Sequence, residues 1–241
     1  MRKICFLQLI FITIAFSADA QRGWGITVGP NLSKIKVTEE QSGNDQEFYK
    51  ISPVIKFQVG IYKEIKATES IVITPSLLFI KKGYKTLKQD ILGGQDRDRR
   101  YNFHPSYVQL PIDVVYRAKL NDKRAFDIGV GVYGAYGLGG KGHQEIKLDG
   151  NTVIDNSFDL VFLNKTKVTH ENGGVTVNAG YSRPLDIGGG IVLNYIFMDN
   201  LSLKLNADHS FFNLYSKYSN GDKPVSKKYN QQLRLSLNYT L

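Results

Sequence analysis

The residues best equipped for chemistry are the run Asp208-His209-Ser210 and two further histidines, His143 and His170. A hydrolase needs a nucleophile, a histidine base and an orienting carboxylate within hydrogen-bond reach of one another. Neighbouring side chains of an extended chain point to opposite faces, so His209 cannot meet Asp208 or Ser210 inside one strand. It could serve as a base only with a partner from another strand, and an interfacial histidine is the simpler reading. His143 and His170 lack metal-ligand spacing. Neither an enzymatic site, nor a cofactor, nor a metal is expected.

Two sets of charged residues raise other possibilities. Lys56, Asp113, Arg117, Asp127, Lys204, Asp208 and Arg234 all fall on the polar side of stretches that alternate polar and apolar residues. Charges gathered in a narrow lumen must pair or hydrogen-bond, because a dry, unpaired charge costs several kcal/mol. These seven are expected to form a structural network that fills such a lumen; a conducting path or proton relay is the other use. The second set is basic. Arg97, Arg99 and Arg100 cluster with Asp96 and Asp98, and Lys223, Lys227 and Lys228 are opposed in their segment only by Asp222. These cations are placed to bridge phosphates of lipopolysaccharide or to hold a partner protein. With a formal net charge of +9, an anionic membrane surface is the expected counterpart, and no nucleic acid is.

The elements that must position these residues read as strands throughout. Leu233, Leu235, Leu237, Tyr239 and Leu241 interleave with Arg234, Ser236, Asn238 and Thr240. Leu201, Leu203, Leu205 and Ala207 interleave with Ser202, Lys204, Asn206 and Asp208. Alternation of this kind puts one set on each face of a strand. It recurs in Trp24–Leu32, Ile55–Tyr62, Ile71–Phe79, Val108–Tyr116, Phe126–Tyr133 and Ile187–Phe197. The result is eight strands, an even number, as a closed antiparallel barrel requires. The connections sort by length. Glu64–Glu69, Lys119–Arg124 and Met198–Asn200 are short, and they alternate with the long Val37–Val54, Lys85–Asn102, Leu138–Pro184 and Leu214–Tyr229. Short periplasmic turns and long extracellular loops predict this order. Trp24, Tyr116, Phe126, Tyr195, Phe197 and Tyr239 then fall near the periplasmic ends of the apolar face. Phe79, Tyr136 and Phe211 fall near the outer ends, as two aromatic girdles would. Gly29, Gly60, Gly129, Gly131, Gly188 and Gly190 carry the polar parity, where small residues leave room for long side chains in a narrow, plugged interior.

The N-terminus sets the compartment. Arg2 and Lys3 precede Ile4–Phe16, apolar but for Gln8 and Thr13, and Ser17-Ala18-Asp19-Ala20 supplies an A-x-A pattern. A cleaved secretory signal is expected over residues 1–20, with one barrel domain over residues 21–241. Cys5, the only cysteine, falls within that signal, so no disulfide is expected. Beyond it there is no long apolar run and the mean hydropathy is −0.24, which excludes helical spans and leaves a barrel open.

Several segments, taken in order, resemble a known family. They are Gly25-Ile-Thr-Val-Gly-Pro-Asn-Leu-Ser33, Ile71-Val-Ile-Thr-Pro-Ser-Leu-Leu-Phe79 with Lys82-Gly83-Tyr84, and Tyr107-Val-Gln-Leu-Pro-Ile112. Phe126–Gly134, Leu185-Asp-Ile-Gly-Gly-Gly190 and a closing strand Asn230–Leu241 complete the order. The chain is similar to the outer-membrane β-barrel family of Bacteroidetes that includes PorT-like proteins. Leu241 departs from the phenylalanine common at the end of such barrels, but it is apolar and on the outward parity. The resemblance implies an eight-stranded antiparallel transmembrane barrel in a Gram-negative outer membrane. It also points to a structural or partner-binding role, accessory to a secretion or envelope system, and loop length by itself makes Leu138–Pro184 the best candidate for partner contacts. Two alternatives stay open: an outer-leaflet lipid-modifying enzyme, and a soluble lipocalin-like carrier in the periplasm with its leucine rows inside.

Overall fold

The computed structural model describes residues 23–38, 48–121, 123–165, 169–171, 174–176, 179–217 and 226–241. The expected signal over residues 1–20, and Lys223, lie outside the described residues. Those described form strands β1 (Trp24–Thr38), β2 (Phe48–Lys63), β3 (Ile65–Lys66), β4 (Ile71–Lys81), β5 (Tyr84–Leu92), β6 (Gln95–Lys119) and β7 (Ala125–Leu148). There follow β8 (Asn151–Phe162), β9 (Thr169–Glu171), β10 (Gly174–Thr176), β11 (Ala179–Ser182), β12 (Leu185–Met198), β13 (Leu201–Ser210) and β14 (Lys227–Thr240). Eight of them pair antiparallel in a ring, in the order β1, β2, β4, β6, β7, β12, β13, β14 and back to β1.

The faces of the ring follow from the alternation. Leu233, Leu235 and Leu237 are exposed while Arg234, Ser236 and Asn238 between them are buried. Val130 and Val132 of β7 are 62% and 59% exposed, and Asn31, Gln58 and Gln109 are wholly buried. A molecule with its apolar rows outside and its amides inside has the polarity that hydrocarbon requires, and strand pairing all round the ring leaves no open sheet edge. This corrects the soluble lipocalin-like alternative, which needed the leucine rows inside. Trp24, Tyr116, Phe126, Tyr195 and Tyr239 are exposed at the short-turn end, and Phe79, Tyr136 and Phe211 at the other. Phe197 is only half exposed and packs 6.4 Å from the Tyr195 ring. Gly29 and Gly129 allow the tight coiling of a small barrel. A Cβ at either would collide with a carbonyl oxygen of the next strand, that of Leu235 or of Val114.

Two of the segments expected as outer loops, Lys85–Asn102 and Leu138–Pro184, are largely sheet among the described residues. β5 and β8 join the upper parts of β6 and β7, and both hairpin tips are two-residue turns. Gly93 and Gly94 have φ of 61° and 83°, and Asp149 and Gly150 have 47° and 81°. Two consecutive positive φ values are the geometry that suits the twist of a hairpin. The tips are tied: the Asp96 N–H donates to Asp149 Oδ1 and the Asp149 N–H to the Asp96 carbonyl, both at 2.9 Å. Alternation alone missed these strands because Asn151–Ser157 of β8 is exposed at every residue. A strand wetted on both faces carries no period-two imprint.

β4 and β5 are one path broken at Lys82-Gly83, β2 pairing with β4 through Gln58–Tyr62 and with β5 through Phe48–Pro53. The freed backbone groups at the break are met by side chains of β1 and by β6. The Gly83 N–H donates to Ser33 Oγ (2.7 Å), Ser33 Oγ–H to the Gly83 carbonyl (3.0 Å), and Asn31 Nδ2 to the Lys81 carbonyl (3.0 Å). The Lys82 N–H reaches the Pro105 carbonyl at 2.9 Å. Buried backbone groups must find such partners, so the break is a built feature that aims Lys82 into the lumen.

Candidate functional site

The lumen is a stack of charged pairs. At the periplasmic end Arg117 donates to Asp127 (2.8 and 2.9 Å) and to both oxygens of Glu64 (3.1 Å), and Asn194 adds a bond to Asp127 at 2.9 Å. Above it Lys204 pairs with Asp113. Next, Arg234 and Gln232 donate to Asp208 at 2.8 and 3.0 Å, and Gln58 links Arg234 to Ser236. The outermost pair is Lys82 with Asp186 at 3.0 Å, their side chains 1% and 0% exposed. Asp186 also accepts from Asn230 (2.7 Å) and Tyr133 (3.4 Å), and the Lys82 ammonium lies 4.6 and 5.1 Å from the ring centres of Tyr107 and Tyr133.

Six of the seven expected lumen residues, Asp113, Arg117, Asp127, Lys204, Asp208 and Arg234, thus come together as three ion pairs. Lys56, half-buried beside Asn31, has no ion pair among the described residues. Glu64, Lys82 and Asp186 were missed. Lys82 continues the buried parity of Leu78 and Ile80, and Asp186 that of Gly188 and Val192, so extending each strand by one or two pleats would have found both. Short charge-assisted contacts of this kind hold a lumen rigid.

The outer mouth is capped. After β13 the chain turns inward, and Leu214 (1% exposed) is seated by bonds from its N–H to the Lys228 carbonyl and from the Arg183 N–H to its own carbonyl, each 2.8 Å. Ser182 Oγ–H donates to the same Leu214 carbonyl at 3.0 Å, and Ser216 Oγ–H to the Leu163 carbonyl at 2.6 Å. Beneath, Ile80, Tyr107, Tyr133 and Ala135 form an apolar cluster against Phe162, whose ring meets Tyr107 edge-on at 5.2 Å. Lys228, expected on an outer loop where it would bridge phosphates or hold a partner, instead points into this mouth, buried against the Tyr84 and Tyr215 rings. At the opposite end a basin of about 500 Å³ includes Glu64, Arg117, Lys119, Arg124 and Asp199 in its walls.

The basic cluster of the outer sheet is matched by acids. Arg97 forks onto Asp90 (2.8 and 2.6 Å), Arg99 also reaches Asp90, and Arg100 meets Glu145 at 3.2 Å and Asp98 at 3.5 Å. The hydrogen bond from Arg97 and the Arg99 charge outweigh the opposing desolvation and hold the Asp90 carboxyl down at about 2. Lys227 is exposed and outward. His209 lies on the outer face 3.4 Å from the Gln231 amide. Ser210 is buried inside and donates to the Phe212 carbonyl, and Asp208 is committed to Arg234; the three do not assemble. Among the described residues no group of three or more His, Cys, Asp or Glu side chains is placed to hold a metal.

A ring of eight antiparallel strands with an apolar exterior and a packed polar interior defines a transmembrane β-barrel. The family model described as outer membrane protein beta-barrel domain matches residues 17–216. The chain belongs to that family and resides in the outer membrane. Among solved structures it is similar to the attachment invasion locus protein Ail of Yersinia pestis, at 11% identity over 92% of this chain and 99% of that one, with a TM-score of 0.37. It is also similar to the outer membrane protease OmpT of Escherichia coli (8% identity, 91% and 96% covered, TM-score 0.47). The translocator domain of the autotransporter NalP of Neisseria meningitidis is a third (11%, 99% and 95%, TM-score 0.30). No curated protein sequence matches.

Proposed function

We propose that this protein is a non-enzymatic outer-membrane barrel that holds up its outer sheet for a partner, as an accessory to a secretion or envelope system of the PorT-like kind. The observation that carries the reading is the length of β6 and β7, 25 and 24 residues, where about 9–11 suffice to cross the bilayer. The surplus builds an ordered sheet with β5 and β8, and structure of that extent outside the membrane needs a role beyond anchoring. The stacked ion pairs argue against a transport role for the lumen, and among the described residues no nucleophile stands beside His209. Lys34, Lys36 and Lys227 project outward just above the apolar band, at the depth of lipopolysaccharide phosphates.

The test is a barrel in which the β7–β8 hairpin is cut back to a short turn below Gly142. It is expected to insert and to keep a heat-dependent shift in electrophoretic mobility, yet to reproduce the envelope or secretion defect of deleting the whole gene. Full complementation by the shortened barrel would sink the proposal.

A further inference from the structure

A group of cations stands on the outer face where β4 gives way to β5. β6 keeps one register across that break, Lys81 facing Ser106 below it and Tyr84 facing Phe103 above. The two-residue repeat therefore runs on through the break, and Lys81, Gly83 and Lys85 share the face of the exposed Leu77 and Phe79. Gly83 leaves a dent between the two lysines. A Cβ there would sit 2.8 Å from the Phe103 carbonyl oxygen and 3.5 Å from His104 Nδ1. His104 stands across from Gly83 on β6, and its Nδ1 is buried with no hydrogen-bond partner among the described residues.

Lys56 of β2 completes the group. Burial holds the His104 imidazolium below its ordinary value, and the charges of Lys56, Lys85 and Lys81 add to the effect. Lys141, opposite His104 on β7, is taken by Asp159 at 2.6 Å. The charges that act on His104 are thus all positive, and among the described residues Lys56, Lys81 and Lys85 form no ion pair. All four residues lie within residues 48–121, and the break and its three flanking strands belong to that same stretch.

Directly below, the apolar band begins. The Lys81 ammonium lies 5.4 Å from the centre of the Phe57 ring, which in turn is 6.5 Å from that of Phe79. Two outward ammoniums backed by a third, at the outer end of a lipid-facing band, suit a phosphate that carries acyl chains. We infer that this rim site binds the phosphorylated head group of an outer-leaflet lipid. Lys81 and Lys85 take the phosphate, Lys56 adds its charge from behind, and the acyl chains lie against Phe57 and Phe79. The inference rests on the placement of the barrel in the outer membrane and not on the accessory role of its outer sheet.

A bound phosphate offsets the lysine charges, so His104 climbs back toward its ordinary value and reports occupancy. Proton NMR of the whole barrel folded in a non-ionic detergent follows its ring, identified by the resonance lost in His104→Gln. Diphosphoryl lipid A is the probe; lipid A stripped of phosphate and inorganic phosphate are the controls. The His104 midpoint is expected to rise saturably by at least about half a pH unit with the probe and to stay unmoved with either control at the same concentration. Lys81→Gln combined with Lys85→Gln should raise the midpoint of the lipid-free barrel, abolish the further rise and weaken binding at least about ten-fold. Lys141→Gln, which removes a cation already neutralised, should leave the response intact. Each variant is first required to show the mobility shift of the folded barrel. No rise with diphosphoryl lipid A, an equal rise with either control, or a rise that survives the double substitution would overturn the site. None of these readouts involves a secretion or envelope defect, so the site can fail while the accessory role stands.

Discussion

Asp186 receives Lys82, Asn230 and Tyr133 at once, so the outer half of the lumen is organised around one carboxylate. Removing its cation leaves a buried charge uncompensated. Lys82→Met is expected to destabilise the barrel by about 3–5 kcal/mol, read from urea titrations in lipid vesicles. Adding Asp186→Leu should recover most of that loss, because the cost lies in the orphaned charge. Asp90 behaves differently, since it sits in the outer sheet. Its carboxyl is lowered from 3.8 to about 2 by Arg97 first and then by the Arg99 charge. A lowered carboxyl stabilises the fold above its unfolded value and ceases to as the pH falls through its folded value. The protection factors of the β5–β6 amides, which remove the intrinsic pH dependence of exchange, should therefore fall between pH 4 and 2. None of these pairings was legible as a pairing. Parity places Asp113 and Lys204 on the inner wall, but they are 91 residues apart, and nothing in a strand's own sequence says which residue faces it across the lumen.

The eight membrane strands were legible because hydrocarbon on one side and packed amides on the other impose strict alternation from Trp24 to Leu32 and from Leu233 to Leu241. Above the bilayer that pressure vanishes, and the outer strands announce themselves only at their turns, Gly93-Gly94 and Asp149-Gly150. Such dipeptides between extended runs are hairpin signals in their own right. Gly150→Val, forced to a φ of 81°, should cost about 1–3 kcal/mol locally. The expected readout is faster exchange confined to β7–β8, with the mobility shift of the barrel unchanged; a global loss of folding would mean that the outer sheet and the barrel are one cooperative unit. The break at Lys82-Gly83 was hidden for another reason. Gly83 looks like a loop residue, and only the geometry shows Ser33 taking over both of its backbone bonds.

For the whole molecule, the ring, its orientation and the filled lumen follow from strand number, loop sorting and parity, whereas function leaves no such periodic trace. The stack of pairs from Arg117 to Lys82, closed outside by Leu214, predicts a barrel that inserts into planar bilayers without measurable ion conductance. Steps of conductance in the wild-type protein would mean that the stack opens.

The seam of the barrel joins its first and last strands, from Gly25 against Thr240 to Thr38 against Lys227. Closing a loop of that length costs roughly 5 kcal/mol of chain entropy before any pair forms, so this ladder is the last to be made. Until then two unpaired edges stand in the membrane, where bare backbone is not tolerated, and whatever inserts the chain must shield them. Leu214 is held by the carbonyl of Lys228, which arrives only with β14. Seating the lid therefore needs β14, one of the two strands of the seam, and a barrel that lacks this strand is also an open one.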